Sequence, residues 1–388
     1  MTTNINGSLE IVRTLGVGGM ATVYLARRHE GSTSRIVAVK KPHAFLAEDS
    51  ATNAVFEDEA QLGACIRHPN VVGVIDFVGG EQPALVMEWV DGVELGKLVR
   101  VANESGRRLP IDVAAAIARD VLAGLHAAHE ARREDGLALD VVHRDVSPQN
   151  VLVGFDGSAR ITDFGVAKAA WRQQQTEQGS IKGKLRYLAP EQLTGTCDRR
   201  ADLFGVGAIL WELVTGARMR NGDGVEMLVE ILCAQIQAPS TIAPEAACLD
   251  GVLMRALERD ADERFATAAS MLEAIEACVA VASPARVAEV VREMMGEAEV
   301  SAAPDSAQVE SREPIAYIEP SMLTADLAVA CSATARLVAR ISRERRDAQR
   351  AASTAFRPQP PLVRSRGPNR AFGGTREPSR TIPALRSA

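Results

Sequence analysis

No run in this 388-residue chain approaches the roughly 20 consecutive apolar residues of a membrane-spanning helix, so no membrane span is expected. The first ten residues, MTTNINGSLE, lack a basic segment followed by an apolar one. A secretory leader is therefore not expected, and the simplest expected location is cytoplasmic. Cysteine is sparse and scattered, at Cys65, Cys197, Cys233, Cys248, Cys278 and Cys331, with no C-x-x-C and no Cys/His ligand spacing. That argues against a disulfide framework or a zinc module and for free thiols in a reducing compartment. The arginine-rich C-terminal stretch has no aromatics interleaved for base stacking except Phe356 and Phe372, so nucleic acid is not an expected partner. No internal repeat is visible.

The length suits one large domain with a tail, or two domains. With 46% hydrophobic and 24% charged residues, the composition is that of a soluble globular protein. The net charge of −6 is unevenly spread. From Arg336 onward there are 13 arginines against Glu344, Asp347 and Glu377, a balance of +10 that leaves −16 on the rest. An acidic body with a basic tail suggests docking of the chain's own tail or an anionic partner, and with no membrane span expected, regulatory input would come from a soluble partner, the tail or self-association. A tail that is merely solvated accounts for the same numbers.

Strand-like alternation fills the first hundred residues, in LEIVRTLG, ATVYLARR, RIVAVKK, VVGVIDFVG and PALVMEWV. One helical stretch interrupts it, about Ala51 to Ile66, with Phe56, Leu62 and Ile66 as its apolar positions. A long Ala-rich helix pattern runs from Ile111 to Ala131. NVLVG and ARITDF flank an Asp156-Gly157 turn, and residues 201–280 read mostly as helix. The expectation is an α+β, bilobal fold over 9–280: a small β-rich lobe (9–90), joined through MEWVDG to a larger α-helical lobe (91–280). Residues 281–388 read as linker and basic tail. SAAPDSAQVESREP is linker-like, a helix pattern spans 323–351, and Pro, Arg, Gly and Ser dominate from Arg357 on, the composition of a largely disordered tail.

Several short motifs carry chemistry. LGVGGMATVYLA puts Gly16, Gly18 and Gly19 in a strand–turn–strand, where the backbone can approach phosphate oxygens and present N–H groups. IVAVKK places Lys40 on a following strand just after Ala38, at the spacing of a phosphate ligand. A carboxylate must hold that lysine. Glu59 is the candidate, because Glu57 and Asp58 fall on other faces of the same predicted helix. VVHRDVSPQNVLV offers Asp145 as the base that orients an acceptor hydroxyl, and Asn150 to brace it and bind magnesium. ITDFGVAK supplies Asp163 to bridge magnesium to nucleotide phosphates.

With YLAPEQ, DRRADLFGVGAILWEL and DERF in the same order, residues 9 to about 280 resemble a bacterial eukaryotic-type (Hanks-type) serine/threonine protein kinase. The resemblance implies ATP with Mg2+, and phosphorylation of Ser or Thr on protein substrates. It places Val23 over the adenine and Met87 at the back of the pocket. Glu88 and Val90 become hinge groups, Glu94 lies near the ribose, and Leu152 closes the pocket beneath. It also implies a buried Glu191–Arg264 ion pair and an Asp202 that caps the catalytic loop.

Two departures stand out. The family's catalytic-loop lysine is Ser147 here, and the threonine before Y-x-A-P-E is Lys184. One reading is an exchange: Lys184 brings the ammonium to the γ-phosphate and Ser147 the hydroxyl. The other is an exposed Lys184 and a weakened site. Because that lysine is the family cue for Ser/Thr over Tyr acceptors, its loss loosens the acceptor assignment. Thr176 and Ser180 are the expected autophosphorylation sites, read by Arg144. Gly63 stands where the family packs an apolar side chain against Phe164, which suggests spare room and a loosely held helix. EARREDGLALDV lengthens the loop after His129 and reads as a short hairpin. An active kinase is the leading expectation. A pseudokinase scaffold is the rival on the strength of Ser147, and a small-molecule kinase is disfavoured by the full activation segment.

Overall fold

The computed structural model describes residues 4–5, 9–19, 21–47, 50–80, 83–133, 135–164, 185–194 and 197–296. Lys184, Thr176, Ser180, the 323–351 helix pattern and the whole of 297–388 lie outside the described residues.

The N-terminal lobe is an antiparallel six-stranded sheet. Its strands are β1 (Asn4–Ile5), β2 (Leu9–Val17), β3 (Ala21–Glu30), β4 (Thr33–Pro42), β5 (Val74–Val78) and β6 (Ala84–Glu88), in the spatial order β1-β2-β3-β4-β6-β5. The period of two sorts β4 onto two faces. Val37 and Val39 pack with Leu9, Ala26, Ala84 and Val86, while Ala38 joins Phe56, Ala60, Leu85 and Met87 on the other side. Lys40, two residues after Ala38, shares that second face and is buried there. The short α1 (Ala44–Ala47) leads into α2 (Ser50–Cys65). Helix α2 buries Phe56, Glu59, Ala60 and Gly63, the i, i+3, i+4, i+7 stripe, and exposes Glu57, Asp58 and Gln61. Burying Phe56 contributes about 1.5–3 kcal/mol to holding this helix against the sheet.

A second, three-stranded sheet of β7 (Gly92–Glu94), β8 (Val151–Gly154) and β9 (Ala159–Ile161) caps the C-terminal lobe. The lobe's helices are α3 (Leu95–Glu104), α4 (Ile111–His129), α5 (Arg200–Thr215), α6 (Val225–Cys233), α7 (Asp250–Ala256) and α8 (Ala268–Cys278). Every residue of α5 from Ala201 to Thr215 is buried, which makes it the lobe's central post, and it stops at Gly216 in the left-handed conformation (φ 65°). The loop after His129 is the small hairpin that its sequence suggests, with Arg132 paired to Ala138 and Gly136 at φ 83°.

The lobe does not end at 280. Helix α9 (Pro284–Met295) starts on Ser283, whose side chain accepts from Arg286 N–H, with Pro284 in the first turn. It buries Val287, Val290 and Val291 in the same core as α4 and α5. The boundary expected at 280 is therefore corrected to the end of this helix. The room expected beside Gly63 is corrected too: a Cβ there would stand 2.3 Å from Val74 Cγ2, so β5 already fills the space. Among the described residues no helix is long and apolar enough to cross a membrane.

Candidate active site

The strand and helix periodicities bring Lys40 and Glu59 together. Lys40 Nζ donates to both Glu59 carboxylate oxygens, at 2.9 and 3.1 Å, and to Asp163 Oδ1 at 3.0 Å. It also lies 5.7 Å from the centre of the Phe56 ring. Burial disfavours the ammonium, but Asp163 and Glu59 outweigh it and raise the lysine's pKa, so Lys40 stays charged. Burial pushes Glu59 upward, against the pull of Lys40. We place the proton on lysine, because two carboxylates face one ammonium.

Asp163 is carried into this cluster by a well-tied strand. Asn70 accepts from Ile161 N–H and donates to the Ala159 carbonyl, both at 2.9 Å, and buried Asp120 accepts from Ala159 N–H at 2.9 Å. Asp163 itself has φ 65°, a conformation unfavourable for a residue with a Cβ. Phe164 packs behind it, edge-on to His143 with ring centres 4.7 Å apart.

The loop of His143 to Asn150 hangs from α5. Asp202 accepts from the backbone N–H of His143 at 2.8 Å and of Arg144 at 2.7 Å, and from His129 Nε2 at 2.8 Å. This clamp holds Arg144 at φ 66°. Asp145 N–H donates to His143 Nδ1 at 3.2 Å, which leaves Nε2–H to donate to the Thr162 carbonyl at 2.9 Å. Asn150 Nδ2 donates to the Asp145 carbonyl at 2.7 Å and to its carboxylate at 3.0 Å. Ser147 is buried, and its hydroxyl has no hydrogen-bond partner among the described residues; the same holds for Arg144 Nε.

Around the charged cluster, Ala38, Met87 and Val90 form one apolar group with Val23 and Leu152 partly buried against it. Glu88 closes β6 and pairs with Val37; Glu94 stands opposite Leu152 in the second sheet. Gly16, Gly18 and Gly19 lie at the β2–β3 turn, where Gly18 N–H donates to the Ala21 carbonyl at 2.8 Å. A Cβ on Gly16 would meet no protein atom within 4 Å, so packing does not demand glycine there. Magnesium takes oxygen ligands and keeps water and phosphate oxygens around it. With its Nδ2 group bonded to Asp145, Asn150 has its amide oxygen left to join the Asp163 carboxylate. No cluster of three ligating His, Cys, Asp or Glu side chains occurs among the described residues. A nucleotide would have to supply the other ligands, so the residues fit a nucleotide-borne magnesium.

On the C-terminal side, Arg264 meets both Glu191 oxygens at 2.6 and 2.8 Å. Tyr187 OH donates to Glu212 at 2.6 Å, and Gln192 Nε2 to the Arg144 carbonyl at 2.8 Å. Burial and the neighbouring Glu212 raise the Tyr187 pKa, which keeps its hydroxyl a donor. Sequence reasoning singled out Glu191 and Arg264 but gave no role to Tyr187, Glu212, Gln192, Asn70 or Asp120.

Groups arranged in this way fit one class of chemistry, transfer of a phosphoryl group from a nucleotide. The protein kinase domain family matches residues 9–288, and the chain belongs to that family. It is 34% identical over 276 residues to the tyrosine-protein kinase MasK of Myxococcus xanthus, covering 70% of this chain and 43% of that protein. It is 36% identical over 287 residues to the probable serine/threonine-protein kinase SCO3848 of Streptomyces coelicolor, covering 71% and 40%. With the serine/threonine-protein kinase PknB of Mycolicibacterium smegmatis it shares 33% over 281 residues, covering 69% and 42%. The chain thus spans less than half the length of these relatives. The crystal structure of the Mycobacterium tuberculosis PknI kinase domain superposes with a TM-score of 0.54 at 26% identity, over 72% of this chain and 99% of that one.

Proposed function

We propose that this chain is an ATP- and Mg2+-dependent protein kinase that transfers the γ-phosphoryl group to Ser or Thr hydroxyls of protein substrates. The observation that carries the reading is the Lys40–Glu59–Asp163 ion cluster on one side of the cleft, with the Asp145–Asn150 pair on the other. Lys40 holds nucleotide phosphates, and Glu59 keeps its ammonium in place. Asp145 orients the acceptor hydroxyl and receives its proton as the oxygen attacks. Asn150 and Asp163 hold magnesium, which when bound neutralises charge on the phosphoryl oxygens. Val23, Ala38, Met87, Val90 and Leu152 exclude water from the base, and the backbone at Glu88 and Val90 addresses its polar edge.

Lys184 supplies the second cation in this reading. Its support is the buried, unpartnered hydroxyl of Ser147, since such a group costs about 1–3 kcal/mol unless a partner reaches it. The unpartnered Nε of Arg144 likewise supports a phosphate on Thr176 or Ser180. One specific observation favours a second acceptor class: Ser147 replaces the lysine that marks Ser/Thr specificity, and one relative is named a tyrosine kinase. The test is transfer of label from γ-labelled ATP to a generic acceptor protein, followed by phosphoamino-acid analysis. Phosphoserine or phosphothreonine is expected, with a loss on the order of 10³-fold in Asp145→Asn. Nucleotide binding without transfer would return the chain to a scaffold role.

A further inference from the structure

The turn that follows α5 carries a buried guanidinium that no motif accounts for. Arg220 is 3% exposed. Its Nη1 donates to the carbonyl of Arg186 at 3.0 Å and to that of Leu188 at 2.7 Å, and Arg186 Nη1 donates back to the Arg220 carbonyl at 2.7 Å. The guanidinium stands 5.1 Å from the centre of the Phe204 ring, and that of Arg264 stands 4.9 Å from the same ring. Among the described residues no carboxylate comes within ion-pair distance of Arg220, whereas Arg264 has Glu191. Burial depresses the Arg220 pKa to about 10 against the opposing pull of Glu230.

A buried cation with no carboxylate at ion-pair distance among the described residues is an expensive way to fill space, and an apolar side chain would do so more cheaply. What the guanidinium adds is donors for backbone oxygens. Residues 185–187 form a single tight turn, in which, among the described residues, only the Leu185 carbonyl finds a backbone donor, Leu188 N–H at 3.2 Å. The next inward carbonyls need a donor from elsewhere, and Arg220 meets two of them, on either side of Tyr187. Tyr187 and Leu188 in turn line a small cavity with Arg144, Asp145 and Val146. The segment that Arg220 suspends therefore borders the catalytic aspartate.

We propose that Arg220 is a positioning residue for the protein acceptor: by holding the carbonyls of Arg186 and Leu188 it sets the seat of residues 185–192 beside Asp145. This rests on the protein-kinase reading. Arg220 touches no group assigned to the nucleotide, so its loss weakens acceptor engagement and leaves ATP binding alone.

The test measures phosphorylation of dephosphorylated casein by the full chain, varying casein and ATP separately, for the parent, Arg220→Met and Arg220→Lys. Arg220→Met removes the donors and keeps the stem. It should raise the casein KM at least about tenfold with the ATP KM within about twofold, and Arg220→Lys should fall between. A casein KM moving less than about twofold, or both KM values rising together, overturns the proposal. If Arg220→Met loses its thermal transition, Arg220→Lys decides by the same split. If the parent transfers no phosphate at all, the kinase reading has failed and Arg220 is judged by hydrogen exchange. In that case Arg220→Lys must deprotect the amides of 185–192 and leave those of 84–90 unchanged; equal protection in both segments refutes it.

Discussion

The two sides of the cleft are built on different principles. On the nucleotide side, charged side chains meet each other: Lys40 with Glu59 and Asp163, the first two delivered by the period of a strand and a helix and the third by the turn after β9. On the acceptor side, charged and polar side chains mostly meet backbone. Arg220 holds the carbonyls of Arg186 and Leu188, Gln192 that of Arg144, and Asp202 the N–H groups of His143 and Arg144. A side-chain pair fixes two points for a ligand. A side chain on backbone fixes the path of a loop. Under the proposed function the nucleotide is the same in every turnover, whereas a protein acceptor would dock on a surface whose path must be held.

The largest break in this contrast is Glu191→Ala, because Glu191–Arg264 is the acceptor side's own ion pair, with its arginine fully buried and its glutamate partly so. Arg264 is buried, and it keeps its bonds to the carbonyls of Arg200, Glu258 and Arg259 when Glu191 is gone. Removing one partner of such a pair costs about 3–5 kcal/mol. Thermal unfolding should fall by about 10 °C, the shift such a loss produces in a domain of this size. A Tm within about 2 °C of the parent would mean that the three carbonyls neutralise Arg264 unaided.

Next comes Lys184→Ala, which asks whether a cation crosses from the acceptor side to serve the nucleotide side. Loss of a phosphate cation should lower kcat on the order of 10²–10³-fold, with the ATP KM little changed. Turnover within about threefold of the parent rules the exchange with Ser147 out, since an active-site charge is worth more than that.

The same contrast explains what the sequence discloses. Lys40, Glu59, Asp145, Asn150 and Asp163 are recognisable because a charge meeting a charge requires particular letters at particular spacings. Backbone groups carry no letter, so nothing in MRNGDG marks Arg220 as the donor for two distant carbonyls, and Gln192 is equally silent. Helix α9 was legible in principle. Ser283-Pro284 is a start signal, and Val287, Val290 and Val291 repeat at helical spacing, but the last family motif stands at Arg264. The RIVAVKK run and the Ala51–Ile66 pattern fall within a residue or two of β4 and α2.

Gly63 gives the smallest effect and the sharpest test of the nucleotide side. In an exposed helix, glycine to alanine stabilises by about 1 kcal/mol. Here the new methyl would stand 2.3 Å from Val74 Cγ2 and 3.1 Å from Val74 Cβ. Val74 is β-branched and anchored on β5, so it has little freedom to turn aside. Overpacking of this kind costs about 1–3 kcal/mol, which outweighs the helix gain. Gly63→Ala should therefore destabilise the domain and, by pushing α2 away from β5, lengthen the reach from Glu59 to Lys40 and raise the ATP KM. Val74→Ala removes the obstruction. In a double-mutant cycle, the pair should be more stable than the sum of the singles by at least about 1 kcal/mol. If Gly63→Ala is instead more stable than the parent and shows no coupling to Val74, the helix has slack against β5. The glycine would then be a site of looseness rather than of close contact, and Lys40 would owe its position to Asp163 more than to Glu59.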